Sequence, residues 1–139
     1  MTWSTAVVAG TDLDVDEVVE LYRSSGLGAR RPLEDRARFT AMIVRADLVV
    51  VCREQGRLLG IARSLSDFAY VTYLCDLAVT REYQRRGVGR ALLEGTRAAA
   101  PDTKIVLLAA PDAVGYYPRV GFTRHESAWL SDTATPAQP

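Results

Sequence analysis

Leu77-Ala78-Val79-Thr80-Arg81-Glu82-Tyr83-Gln84-Arg85-Arg86-Gly87-Val88-Gly89-Arg90-Ala91-Leu92-Leu93 reads as the end of a strand, a basic glycine-bearing loop and the start of a helix. Gly87 and Gly89 remove Cβ atoms where main chain would have to come close to a ligand. The helix that follows begins with N–H groups that have no partner inside it. Its dipole and the side chains of Arg85, Arg86 and Arg90 place positive charge around those amides, so a diphosphate could be held there mainly by main chain.

Two common phosphate-binding patterns do not fit the letters. A P-loop requires a glycine directly before its lysine, and the sole lysine, Lys104, follows Thr103. A dinucleotide fingerprint requires a third glycine where Leu92 stands. Gln84-Arg85-Arg86-Gly87-Val88-Gly89 does match the Gln/Arg-x-x-Gly-x-Gly/Ala signature that holds acetyl-CoA in the GNAT superfamily of N-acetyltransferases. Downstream, Tyr116-Tyr117-Pro118-Arg119-Val120-Gly121-Phe122 resembles that family's aromatic-Tyr-x-x-x-Gly-Phe segment. The resemblance extends over residues 3 to 129.

By that resemblance, the amides from Arg85 to Arg90 would cradle the CoA pyrophosphate, with Gln84 a further cofactor-binding residue of the loop. Leu77 and Val79 would pair with the pantetheine arm as an added strand does, and an N–H at Leu77 or Ala78 would stabilise the oxyanion. The implied reaction is attack by a neutral primary amine on the thioester of acetyl-CoA, with Tyr117 as the acid that meets the departing thiolate. Where some members carry a catalytic glutamate, this strand carries Tyr73, and Asp76 is the nearest acid. Regular alternation puts Asp76 on the face opposite Tyr73 unless a bulge intervenes. Its alternatives are a general base and a carboxylate paired with backbone or an arginine. A water relay or an already neutral amine would need no dedicated base. A non-catalytic acyl-CoA-binding module is the rival reading.

Outward from the loop, Tyr70 to Val79 is rich in β-branched and aromatic residues and reads as a strand. Leu48–Glu54 and Arg57–Ser64 flank Gln55-Gly56 as a hairpin, and Trp3–Ala9 is a weaker strand. Val15, Val18, Val19 and Tyr22 form a helical stripe capped within Thr11–Asp14 and ended by Gly26. A second helix is expected to start at Pro32 and reach Arg45, with Phe39, Met42 and Ile43 inward. Helix 90–100, a fully buried strand 104–110, a short helix 113–120 and a last strand 122–129 carrying His125 complete the domain. The fold expected is mixed α/β, one domain over residues 1–130, with a predominantly antiparallel central sheet flanked by helices. Residues 131–139 read as a disordered tail. Arg63, Ser64, Ser66, Asp67 and Tyr70 lie at strand ends towards the acceptor side, with turn chemistry expected of Ser66 and Asp67.

Composition sets the outer bounds. The 139 residues suit one domain at roughly 100 to 200 residues each. Seventeen basic and seventeen acidic side chains cancel, which argues against a nucleic-acid partner. No apolar run approaches the roughly 18 residues of a membrane span, and Met1-Thr2-Trp3-Ser4 does not open a signal peptide. The expected location is the cytoplasm. Cys52, Cys75 and His125 do not make a zinc set, so no metal is expected. The partners expected are acetyl-CoA and an amine acceptor, with a homodimer left open.

Overall fold

The computed structural model describes residues 2–132, and its contacts gather into two compact units, residues 1–108 and 109–139. The first holds a five-stranded sheet in chain order: β1 (Ser4–Val8), β2 (Leu48–Glu54), β3 (Arg57–Ser66), β4 (Val71–Val79) and β5 (Lys104–Leu107). All neighbouring pairs are antiparallel except β4 and β5, which are parallel. Parallel neighbours need a crossover, and helix α3 (Val88–Ala99) supplies it.

Helices α1 (Val15–Ser25) and α2 (Arg36–Val44) precede the hairpins. Asp14 caps α1 by accepting from the Asp16 N–H, and left-handed Gly26 closes it. Asp35 caps α2 by accepting from the Arg38 N–H, so that helix starts at Arg36. Pro32 therefore lies ahead of α2 and not in its first turn. Gln55 and Gly56 both take positive φ, which closes the β2–β3 hairpin in a turn matched to strand twist.

Val49 and Val51 join Val18, Tyr22, Phe39 and Ile43 in the core beneath α1 and α2. The alternate residue Val50 meets α3, where a Cβ built on Gly95 would lie 2.9 Å from its side chain. The two helical layers thus cover opposite faces, which explains why β2 is apolar without alternation. Gly60 is required for this packing, because a Cβ there would sit 2.9 Å from Leu92 and 3.1 Å from Val88.

Strand β5 ends at Leu107, three residues short of expectation, and its alternate residues are exposed. It is an edge strand and not a buried one. The second unit contains two 3-10 turns, Pro111–Ala113 and Tyr117–Val120, in place of one short helix. No strand forms over 122–129, where the described backbone is turn or irregular. Apart from Ser131 and Asp132, which take no regular structure, the expected tail lies outside the described residues.

Candidate active site

Strand β4 is longer than its parallel neighbour β5. Val71 to Leu74 pair with Lys104 to Leu107, and from Cys75 onward β4 has no partner strand on that side among the described residues. The Thr80 N–H donates to the Leu59 carbonyl at 2.8 Å. Alternation along the antiparallel ladder then turns the polar groups of Ala78 and Asp76 towards β3 and those of Leu77 and Val79 towards the open side. Of the two positions expected to supply an oxyanion donor, Leu77 has its N–H on the open side and Ala78 has its N–H towards β3.

Gln84 was expected against the cofactor, but its side-chain nitrogen donates inward, to the Val79 carbonyl at 2.9 Å and the Ser25 carbonyl at 3.2 Å. The amide ties the loop to β4 and to the end of α1. It also occupies the Val79 carbonyl, leaving Leu77 as the residue with both main-chain groups turned to the gap. Ser24 adds to the tie through the Thr80 hydroxyl at 2.6 Å and the Arg81 N–H at 3.2 Å.

Arg85 adopts φ 64° and Gly87 φ 88°, so the chain turns through the left-handed region immediately before α3. A Cβ on Gly87 would meet nothing within 4 Å, which leaves open space over that turn. The helix begins at Val88, two residues earlier than expected, placing Val88, Gly89 and Arg90 in its first turn, with the Val88 and Gly89 N–H groups ahead of the first intrahelical bond. The Val88 side chain is buried against the sheet, so only its main chain faces outward. Arg86 lies 5.2 Å from the ring centre of Tyr83, with Arg57 at 5.8 Å from the same ring.

Asp76 is engaged on both oxygens. Tyr22 Oη and Arg63 Nε donate to Oδ2 at 2.6 Å each, and Arg31 Nε donates to Oδ1 at 2.6 Å. Burial raises the carboxyl, but Arg63, Tyr22 and Arg31 outweigh it and hold Asp76 below the usual carboxylate range. The same site pushes the Tyr22 hydroxyl well above its ordinary value, through burial and the neighbouring carboxylate. A carboxylate so placed is a poor proton acceptor, which speaks against Asp76 as the base and for the arginine-paired alternative.

The bulge on which that assignment depended is present. Arg63 pairs with Asp76 and Ser64 with Leu74, so Cys75 is the extra residue. Without it, Thr72 and Asp76 would share a face. Instead the Thr72 hydroxyl meets Thr103, just beyond α3, at 2.7 Å, whereas Asp76 meets Tyr22 of α1 on the opposite layer. Tyr73 accordingly comes to the Asp76 side. Burial raises its hydroxyl above the ordinary value, with Cys75 and Asp76 adding to the shift and Arg31 and Arg63 opposing it.

Replacing Asp76 with Asn should destabilise the fold by about 3–5 kcal/mol, the cost of breaking a buried ion pair and leaving charge unmatched. Because its folded pKa is depressed, the charged Asp76 contributes stability fully above the unfolded carboxylate value of about 3.9. That contribution is lost as pH falls through the lower folded value. Urea denaturation of both proteins across pH 2 to 7, with the gap narrowing at the acid end, is the measurement.

In the second unit, Tyr117 packs edge-on against Tyr116 and Phe122, with ring centres 5.4 and 5.5 Å away. Burial, and secondarily Tyr116, raise its hydroxyl above the ordinary value, so it keeps its proton. Ser66 and Asp67 perform turn chemistry, Asp67 Oδ1 accepting from the N–H groups of Ala69, Tyr70 and Val71. His125 is exposed and accepts from the Ser127 N–H at 3.1 Å. Arg31 and Tyr22 were missed as site residues. Their only signal in the sequence was an indirect one, the opposite charges Arg63 and Asp76 each standing inside an apolar strand.

The model of the acetyltransferase (GNAT) domain matches residues 18–133. The chain belongs to the GNAT acetyltransferase family. A histone acetyltransferase of Glycine max is 38% identical over 125 residues, covering 82% of this chain. The chain spans only 54% of that relative's length. Among solved structures, a GNAT family acetyltransferase from Streptococcus pneumoniae superposes with TM-score 0.72 at 17% identity, covering 93% of this chain and 98% of its own. An aminoglycoside acetyltransferase from an uncultured soil metagenomic sample gives TM-score 0.71 at 17% identity, covering 97% of each chain. These likenesses establish the fold of a GNAT acetyltransferase, a single α/β domain with a mostly antiparallel five-stranded sheet. Among the described residues no helix is long and apolar enough to cross a membrane, and no group of His, Cys, Asp or Glu could hold a metal ion.

Proposed function

We propose that this GNAT chain is an acetyl-CoA-dependent N-acetyltransferase acting on a primary amine. The observation that carries the reading is open main chain at two places on one segment, at Leu77 on the unpaired side of β4 and at left-handed Gly87 with the amides that open α3. Such a pair suits a long, thin ligand that ends in a diphosphate. The amides of Val88, Gly89 and Arg90 would receive the pyrophosphate, and Leu77 would pair with the pantetheine arm.

When bound, acetyl-CoA supplies an activated acyl carbon. The amine nitrogen bonds to that carbon, the C–S bond breaks, the sulfur takes a proton from the Tyr117 hydroxyl, and the proton shed by the acylated nitrogen passes through water to restore Tyr117. The Leu77 N–H supports the developing oxyanion. With Asp76 held between two arginines, the ammonium proton leaves to water before attack. The rival, an acyl-CoA-binding module without turnover, draws on that same engagement of Asp76. A CoA-release assay with acetyl-CoA and a broad panel of amines separates the two, since binding without release for every amine would overturn the enzyme. A cytoplasmic location belongs to this reading, with a homodimer left open.

The local arginines should add attraction that salt can screen. Changing Arg85, Arg86 and Arg90 together to Gln should weaken acetyl-CoA binding by about tenfold at low ionic strength and far less near 0.5 M salt. Calorimetric titration at both salts is the check. Equal losses would mean that these side chains act by contact and not by long-range charge.

A further inference from the structure

Along the β3–β4 ladder one face of the sheet changes character abruptly. Ile61 pairs with Ala78, Arg63 with Asp76 and Leu65 with Tyr73, all on the side that α1 and α2 cover. The first two pairs are buried, but Leu65 is 43% exposed and Tyr73 37%. The cover ends at Arg31, whose Nε reaches Asp76 from the segment between α1 and α2. Tyr73 is also the partner of Val106 on β5, which is 46% exposed. Leu65, Tyr73 and Val106 therefore form one bare row across three strands, about 10 Å wide at the usual strand spacing.

The row rests on a fixed floor. On the opposite face the Ser66 hydroxyl meets that of Thr72 at 2.8 Å, and Thr72 meets Thr103, the residue before β5, at 2.7 Å. One end of the row borders the gap, since β4 loses β5 at Cys75, two residues or about 7 Å along the strand from Tyr73. None of the three side chains is charged, and Asp76, the nearest acid on β4, is buried between Arg31 and Arg63. Large apolar side chains left open side by side, and not scattered singly, mark a surface that something apolar covers. Three residues fall far short of the roughly 20 to 30 a side that a stable protein interface takes. The width suits one aromatic ring on a short chain, and the position suits a molecule that must reach the gap.

We propose that the acceptor is a small amine on an aromatic or branched aliphatic body, which lies on Leu65, Tyr73 and Val106 while its nitrogen reaches the gap that opens at Cys75. This rests on the acyl-transfer reading above. The row sets specificity by burial and ring contact and takes no part in bond-making. Tyr73, standing where some family members carry a glutamate, then holds the body of the acceptor and not its proton.

The test uses the unmodified protein with acetyl-CoA and primary amines matched at the nitrogen: 2-phenylethylamine and 3-methylbutylamine against ethylamine, with spermidine as a polycation. The apolar amines should exceed ethylamine by about 10- to 30-fold in kcat/KM, the worth of about two buried methylene groups. A double variant, Leu65→Asn with Val106→Thr, changes only exposed positions and should cut that ratio to about threefold or less. The loss should appear in KM, with kcat and the turnover of ethylamine nearly unchanged. Equal turnover of ethylamine and its apolar counterparts, spermidine preferred to all, or a ratio that survives in the folded double variant would overturn the proposal. Sedimentation of both proteins tests the other occupant: self-association that the double variant abolishes, with no preference among the amines, would give the row to a second copy. If acetyl-CoA binds but no amine releases CoA, it is the acyl-transfer reading that fails. The row is then judged by melting temperature with CoA present. Stabilisation by 2-phenylethylamine and not by ethylamine, lost in the double variant, supports it, and equal effects of the two amines sink it.

Discussion

Gly87→Val should raise the Kd for acetyl-CoA by about 100-fold, equivalent to about 2.7 kcal/mol. At φ 88° the position lies where an L side chain is strained by about 1–2 kcal/mol, and a β-branched residue is among the worst placed. The loop would relax by turning away the very amides that open α3. Nothing lies within 4 Å of a Cβ at this position, so the fold itself should be spared and the melting temperature nearly unchanged. Gly87→Asn sharpens the test, because asparagine tolerates the left-handed region and should keep most of the affinity. Calorimetric titration of both variants decides it. Undiminished binding by the valine variant would place the cosubstrate elsewhere.

Tyr117→Phe should lower kcat by about 100- to 10,000-fold, the usual worth of a positioned proton donor, with Kd for acetyl-CoA nearly unchanged. The ring contacts with Tyr116 and Phe122 survive the change, so packing is conserved and only the hydroxyl is lost. Burial keeps that hydroxyl protonated above its ordinary range. If Tyr117 is the proton donor, the activity of the unmodified protein should therefore fall at high pH only when this proton is lost, and the variant should lack that limb of the profile. A kcat within a factor of about three, well below the range for general acids, together with a lower melting temperature would make the hydroxyl structural.

The residues that were legible are those whose role is a demand on their own backbone. Gly87, Gly26 and Gly56 all take positive φ, and each marks a turn in the sequence itself. Asp14 and the α1 stripe likewise speak through neighbours three and four residues away. The Asp76 cluster was not legible, because it joins residues 13, 45 and 54 positions apart that only packing brings together. The Cys75 bulge is equally silent, since one additional residue in a β-rich run leaves no mark on its composition. Strand β5 was overextended for a related reason. Six apolar residues in a row indicate burial, but a parallel edge strand can end wherever its neighbour diverges, as it does at Leu107.

The sheet also implies an order of assembly. β2, β3 and β4 follow one another through tight connections, so their pairing closes only short loops. β5 can dock only after the chain has travelled through the glycine turn and α3, a longer and entropically costlier closure. The gap beside Leu77 is thus the seam between an early-folding meander and a late-joining crossover. A ligand seated along that seam would bind only the fully assembled chain, and by mass action would draw the last step of folding towards completion.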